Sequence, residues 1–192
     1  MTWELYNNKG SRKYLSQSER MAVLAMAATK PAKIDTLCNV LVWTGCRLSE
    51  ALALTPDKID RSEKLIIFEC LKKRRRGVYR AVPVPEALIA RLTEIHPLDA
   101  PSAHTLLWSM SRTTAWRHIK TIMAEAGLAP SAAATPRGLR HGFGVAAVSA
   151  GIPLNVVQRW LGHAQISTTA IYANASGAEE RSMAAKMWSI SN

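Results

Sequence analysis

The stretch Leu65–Pro85, LIIFECLKKRRRGVYRAVPVP, decides the fold class. Leu65 to Cys70 is rich in β-branched and aromatic residues and reads as a strand. Tyr79 to Val84 alternates as a second strand, and Pro85 closes it. Between them the basic run KKRRR, Lys72 to Arg76, and then Gly77 make a turn. The two runs predict an antiparallel hairpin with a strongly cationic tip. A run of this kind is either a solvated turn or a segment that reaches into DNA.

Outward from the hairpin the periodicity is helical. Ser16 to Ala28 reads as a helix that Ser16 or Ser18 can cap, with Met21, Leu24 and Ala25 on one face. Pro31 restarts the chain, and Ile34, Leu37, Cys38, Leu41 and Val42 form a stripe that stops at Gly45. Leu48 to Leu54 gives a short helix. Downstream, helices are expected over Glu86–Ile95, Thr113–Ala126 with Ser111 as cap, Gly138–Ala150, Leu154–Leu161 and Ala178–Trp188. Ile166 to Tyr172 adds a turn or two. Residues 1–15 are polar and basic and read as an N-terminal arm or loose lead-in. The expected architecture is one mainly α domain over residues 16–192 with a small antiparallel β-sheet, an α+β fold.

The chain of 192 residues is long enough for a core of its own, and its hydrophobic content of 48% excludes a disordered chain. The net charge of +11 points to a polyanionic partner, most simply nucleic acid. Cys38, Cys46 and Cys70 are scattered and show no metal-ligand or disulfide spacing, so no metal site is expected. Cys38 and Cys46 sit in apolar settings and read as small core residues. With no signal segment and no apolar run long enough to span a bilayer, a reduced cytoplasmic protein without a membrane partner is expected.

Three further segments carry side chains suited to phosphate chemistry. TGCRLSEALAL presents Arg47, with Glu50 one turn on to hold its guanidinium. TPRGLRHGF presents Arg140, and LGHAQISTTAIY presents His163 and Tyr172. Guanidinium groups stabilise the charge of a phosphoryl-transfer transition state, because a planar fork gives paired hydrogen bonds and keeps its proton. A phenol has a pKa of about 10, so only about one part in a thousand is ionised at neutral pH. Nearby cations lower that value, and a histidine such as His163 can take the proton. Taken singly, each residue has an ordinary reading as a surface ion pair, a core tyrosine or a capping histidine. Leu154–Tyr172 also reads as a helix-turn-helix that would set Gln165, Ser167, Thr168 and Thr169 against base edges. On that local pattern alone, a DNA-binding regulator without chemistry stands ahead.

The four segments in this order and spacing resemble the tyrosine site-specific recombinases, the family of phage integrases and chromosome-dimer recombinases. The resemblance runs from about residue 14 to the end. It implies a DNA breaking-rejoining catalytic domain that works through a 3′-phosphotyrosine intermediate without metal, nucleotide or other cofactor. It implies that Arg47 and Arg140 are the two catalytic arginines, Glu50 the acidic support of the first, His163 the downstream histidine and Tyr172 the nucleophile. The family also uses a hairpin lysine to protonate the leaving 5′ oxygen; Lys72 is the first choice here and Lys73 the second. Lys73, Arg74, Arg75, Arg76 and Arg80 are expected to contact DNA.

Two features depart from the family pattern. Arg137 stands where the family usually has histidine, three residues before the second arginine; it can donate to a phosphate oxygen but cannot act as a base. The chain also starts close to the first catalytic-domain helix, so no separate N-terminal core-binding domain is expected. The partners implied are double-stranded DNA, three further copies in a homotetramer on paired sites, and an accessory DNA-binding protein that supplies the missing grip. Two rival functions stay in view, a type IB topoisomerase-like nicking and religation activity and the non-catalytic regulator.

Overall fold

The computed structural model describes residues 5–70, 77–99, 105–174 and positions 181, 184, 185 and 187. Helix α1 (Gln17–Ala27) begins at Ser16, whose hydroxyl accepts from Glu19 N–H while the Glu19 carboxylate reaches back to Ser16 N–H at 2.8 Å. That reciprocal cap satisfies two backbone donors that a helix start leaves without partners. Helix α2 (Ala32–Thr44) is the centre of the molecule. Leu37, Cys38, Val40, Leu41 and Val42 are all essentially inaccessible, and α1, α4 (Glu86–Ile95) and α6 (Pro136–Ser149) pack around it. The helix is apolar on nearly every side because it has neighbours on nearly every side.

Helix α3 (Leu48–Leu52) follows directly, then a three-stranded antiparallel sheet in the order β1 (Ile59–Asp60), β2 (Leu65–Glu69), β3 (Tyr79–Pro83). The β2–β3 register pairs Ile66 with Val82 and Phe68 with Arg80. Alternation therefore turns Ile66, Phe68, Arg80 and Val82 to the interior, and Tyr79, Ala81 and Pro83 to solvent. The hairpin and the α+β class agree with the sequence expectation; β1 is too short to carry a pattern of its own. Helix α5 (Arg112–Glu125) is capped by Ser111, and α6 by Thr135 with Pro136 in its first turn. Helices α7 (Leu154–Leu161) and α8 (Ser167–Ala170) follow, and α8 runs on into a 3-10 turn, Ile171–Asn174.

One expectation changes. The N-terminal segment is not a loose arm over its described part: Leu5, Tyr14 and Leu15 are buried, and Leu15 N–H donates to Gly138 O at 3.1 Å. Three apolar residues among the polar ones suffice to dock it on α6. The expected helix Ala178–Trp188 falls largely outside the described residues; positions 181, 184, 185 and 187 within it are helical.

Buried polar side chains in the core pair with one another and with backbone carbonyls at several points. His96 Nε2 and Thr36 Oγ1 share a hydrogen bond at 2.9 Å, and Trp108 Nε1 donates to Lys33 O at 2.7 Å. All three cysteines are buried thiols, as the apolar settings of Cys38 and Cys46 suggested. Among the described residues no helix is long and apolar enough to cross a membrane.

Candidate active site

Arg47 occupies the N-cap position of α3, where the chain leaves Gly45 and Cys46 and turns into the helix. Its Nη1 donates to Glu50 Oε1 at 2.6 Å, and its backbone N–H donates to Glu50 Oε2 at 2.8 Å. The carboxylate is fully covered while the Arg47 side chain keeps 20% of its surface, so the guanidinium is the end of the pair that a ligand can reach. Burial raises the Glu50 carboxyl, but the charges and hydrogen bonds of Arg80 and Arg47 outweigh it and hold the group below the usual carboxylate range.

Arg140 projects from the buried face of α6 and is 4% exposed. Its Nη1 donates to Gly45 O at 2.8 Å and its Nη2 to Leu161 O at 2.7 Å, so one guanidinium joins the start of the Arg47 segment to the end of α7. Burial, then the charge of Arg47, lowers it to about 10, which leaves it cationic at neutral pH. Arg137 lies one turn earlier, in the first turn of α6, and is exposed. Arg137, Arg140 and His141 share a helix face by their spacing of three and four.

Gly162 ends α7 with φ of 68°, a left-handed conformation that favours glycine, and His163 leaves the helix from it. His163 Nδ1 and Thr169 Oγ1 share a hydrogen bond at 2.9 Å, so Thr169, the last residue of the Ser-Thr-Thr cluster, orients the histidine. Burial, then the charges of Arg140 and Arg47, lowers His163 to about 3, and the ring is neutral at pH 7. It stacks on the Tyr172 ring, with centroids 6.2 Å apart and planes 20° apart.

Tyr172 is fully buried. Its ring lies on Gly144 of α6, where an added Cβ would come within 2.5 Å of the ring. Its hydroxyl shares a 3.1 Å hydrogen bond with His141 Nδ1. Burial pushes the phenol up to about 12 against the charges of Arg140, Arg137 and Arg47. The histidine that meets the hydroxyl is therefore His141, not His163. Burial, then Arg137 and Arg140, lowers His141 to about 4, so it is a neutral partner. His141 stands in the PRGLRHGF segment, and its position one residue after Arg140 is the signal that would have found it.

Arg80 requires a correction. It was expected among the DNA-contacting cations, yet it is 6% exposed and its Nη2 donates to Glu50 Oε2 at 2.7 Å. The alternation of its own strand, with Val82 and Val84 turned inward, already places it on the core face. Lys72, Lys73, Arg74, Arg75 and Arg76 lie outside the described residues. The helix-turn-helix reading also loses its basis. Helix α8 has four residues, and Thr169, offered as a base reader, is buried under His163. A reading helix needs several turns along the groove.

Two consequences are measurable. Gly144→Ala places a methyl group inside the Tyr172 ring, so a loss of about 1–3 kcal/mol of stability in urea unfolding is expected, with the phenol becoming solvent-accessible. The second consequence concerns acid. His96, His141 and His163 all sit below the ordinary histidine value of 6.5, through burial first. The unfolded chain therefore binds protons that the folded one refuses. Stability is complete above about pH 6.5 and is lost progressively as pH falls from there toward about 4 for His141 and about 3 for His163, with up to about 2 kcal/mol lost from each already at pH 5. Urea midpoints that do not move between pH 7 and pH 5 would contradict neutral burial of these rings.

The sequence profile of the phage integrase family matches residues 13–179. Among curated relatives, tyrosine recombinase XerD of Corynebacterium glutamicum is 29% identical over 144 residues, which is 72% of this chain and 47% of that protein. The chain thus spans about half the length of such relatives. Among solved structures, the crystal structure of XerA recombinase has a TM-score of 0.79 at 24% identity, over 92% of this chain and 65% of that one. XerH bound to its difH substrate in a pre-cleavage complex has a TM-score of 0.73 at 22% identity, over 95% of this chain and 59% of that one. These likenesses establish a shared catalytic-domain fold.

Proposed function

The chain belongs to the phage integrase family, and from that membership we propose that it is a site-specific DNA recombinase that breaks and rejoins duplex DNA through a covalent bond between Tyr172 and a 3′ phosphate. One observation carries the reading. The buried Tyr172 hydroxyl meets His141 Nδ1 at 3.1 Å, its ring stacks on His163, and the charges of Arg140, Arg137 and Arg47 all act on it. Cations favour a phenolate and a phosphorane, and a neutral imidazole can receive a proton.

In this proposal the Tyr172 oxygen attacks the scissile phosphorus and its proton passes to His141. The bond from phosphorus to the 5′ oxygen breaks. That oxygen leaves as a hydroxyl after receiving a proton from a hairpin lysine, Lys72 before Lys73. Arg47 and Arg140, with the exposed Arg137 one turn before Arg140 on α6, neutralise the nonbridging oxygens. His163, neutral and aligned by Thr169, donates a hydrogen bond to the same phosphate. The phosphotyrosyl bond retains the energy of the broken phosphodiester, so the 5′ hydroxyl of a second duplex can reverse the attack and complete strand transfer. No metal or nucleotide takes part. The substrate is double-stranded DNA, and exchange between two duplexes requires four copies on paired sites. The basic tip, Lys73 to Arg76, tracks the backbone, and binding should fall steeply with salt.

The test is covalent capture in cells. The chain is expressed, cells are lysed directly into denaturant, and DNA that stays on the protein is sequenced. Attachment through 3′ ends at a few discrete positions is the expected result. Scattered attachment would mean a topoisomerase-like activity without paired sites. Specific DNA binding with no attachment at all would mean a regulator and would overturn the proposal.

A further inference from the structure

We infer that Arg80 is a positioning residue for this chemistry, a buried guanidinium on the basic hairpin that holds Glu50 against Arg47 and holds the last turn of α7, from which His163 departs. The inference rests on the strand-transfer reading above. Arg80 is 6% exposed, and each of its nitrogens has a partner. Nη2 donates to Glu50 Oε2 at 2.7 Å, Nε donates to Trp160 O at 2.7 Å, and Nη1 meets Cys70 Sγ at 3.5 Å. The guanidinium carbon sits 5.0 Å from the centre of the Phe68 ring, its cross-strand neighbour. A group engaged in this way does not reach DNA, so its effect must pass through the residues it holds.

It holds two things that the reaction needs. Glu50 divides its oxygens between two guanidinium groups, Oε1 to Arg47 and Oε2 to Arg80. Side-chain exposure runs 3% for Arg80, zero for Glu50 and 20% for Arg47. The three form a chain that starts in the interior and ends at the partly exposed Arg47, and its inner end is anchored on β3. Without Arg80, Glu50 keeps only its two bonds from Arg47, and the buried carboxylate loses the one partner that ties it to β3.

The second thing is the end of α7. A helix leaves its last carbonyls without helical partners. Here each one is accounted for. Gln158 O accepts from Gly162 and His163 N–H, and Arg159 O accepts from Gly162 N–H. Trp160 O accepts from Arg80, and Leu161 O accepts from Arg140. Two guanidinium groups thus close a helix terminus that favours positive charge, and His163 is the next residue but one. A cleft of about 300 Å³ opens beside this junction, lined by Tyr79, Arg80, Gln158, Arg159 and His163. Arg80 forms part of its wall and joins β3 to α7 across it. Lysine cannot replace it, because one ammonium cannot meet partners in three directions in the plane of a fork.

The test uses the whole chain and the duplex identified by covalent capture, nicked beside the attachment point so that the released flank diffuses away. At saturating duplex, Arg80→Met should form the covalent complex about 100-fold more slowly, the scale set by a misplaced catalytic group, with DNA affinity little changed. Arg80→Lys should recover only part of the rate, and it carries the same comparison if Arg80→Met does not fold. A duplex with a methylphosphonate at the scissile position, which removes one negative charge, should narrow the Arg80→Met defect as it narrows that of Arg47→Met. An unchanged rate, a parallel loss of rate and affinity, or a defect that the neutral phosphonate leaves as it was would overturn the inference. Absence of covalent complex with the wild type would overturn the strand-transfer reading instead. The positioning is then tested without DNA by the Arg47 Nε–H signal in NMR, which should broaden in Arg80→Met; an unmoved signal would reject it.

Discussion

Tyr172→Phe is expected to abolish covalent attachment to DNA while the protein stays folded. The substitution removes one oxygen and keeps the ring that fills the notch at Gly144 and stacks on His163. No other tyrosine is placed to substitute: Tyr6 and Tyr14 pair with each other on the N-terminal segment, and Tyr79 is exposed on the hairpin. The loss should therefore be complete in the capture experiment. Stability should fall by about 1–3 kcal/mol, because His141 Nδ1 loses the Tyr172 hydroxyl in a buried site. Specific DNA binding should persist, which separates loss of the nucleophile from loss of the site. Capture that survives in this variant would remove Tyr172 from the mechanism.

The second large effect is expected at Arg140. In Arg140→Lys a cation remains, but the two-way bridge from Gly45 O to Leu161 O cannot. The rate of covalent complex formation on a nicked duplex should fall by about 10²–10³, the range for loss of one donor at a developing oxyanion. Affinity should change far less, since most contacts that hold a duplex are to other phosphates. A rate within about tenfold of wild type would mean that Arg140 is a structural bridge alone, because ten-fold is only about 1.4 kcal/mol of barrier.

What the sequence conveyed and what it withheld follows from the range of the interactions. Helix limits were legible because their causes are local: Ser16, Ser111 and Gly45 act within one turn of themselves. Arg47 and Glu50 were legible as a pair for the same reason, at a spacing of three. Arg140 could be singled out, but not its bridge, whose ends are 95 and 21 residues away. His141 and Tyr172 meet over 31 residues, and no local pattern announces that contact. Arg80 was misread through its neighbours. A cation at the end of a basic run looks like part of the run, although strand alternation alone would have turned it inward. The N-terminal segment was misread through composition, which averages away three well-placed apolar residues.

The closure of α7 by two arginines has an implication for protein engineering. Residues 150–174 carry His163 and Tyr172 in one continuous stretch, which invites their use as a portable cassette to graft onto another scaffold or exchange between relatives. The carbonyls at Trp160 and Leu161 argue otherwise. Their donors come from β3 and α6, so a transplanted segment would arrive with its helix end frayed and its histidine unaligned. Chimeras with crossover points on either side of α7 should succeed only when Arg80 and Arg140 come from a parent that places them alike. The practical unit of exchange is the hairpin, α6 and α7 together.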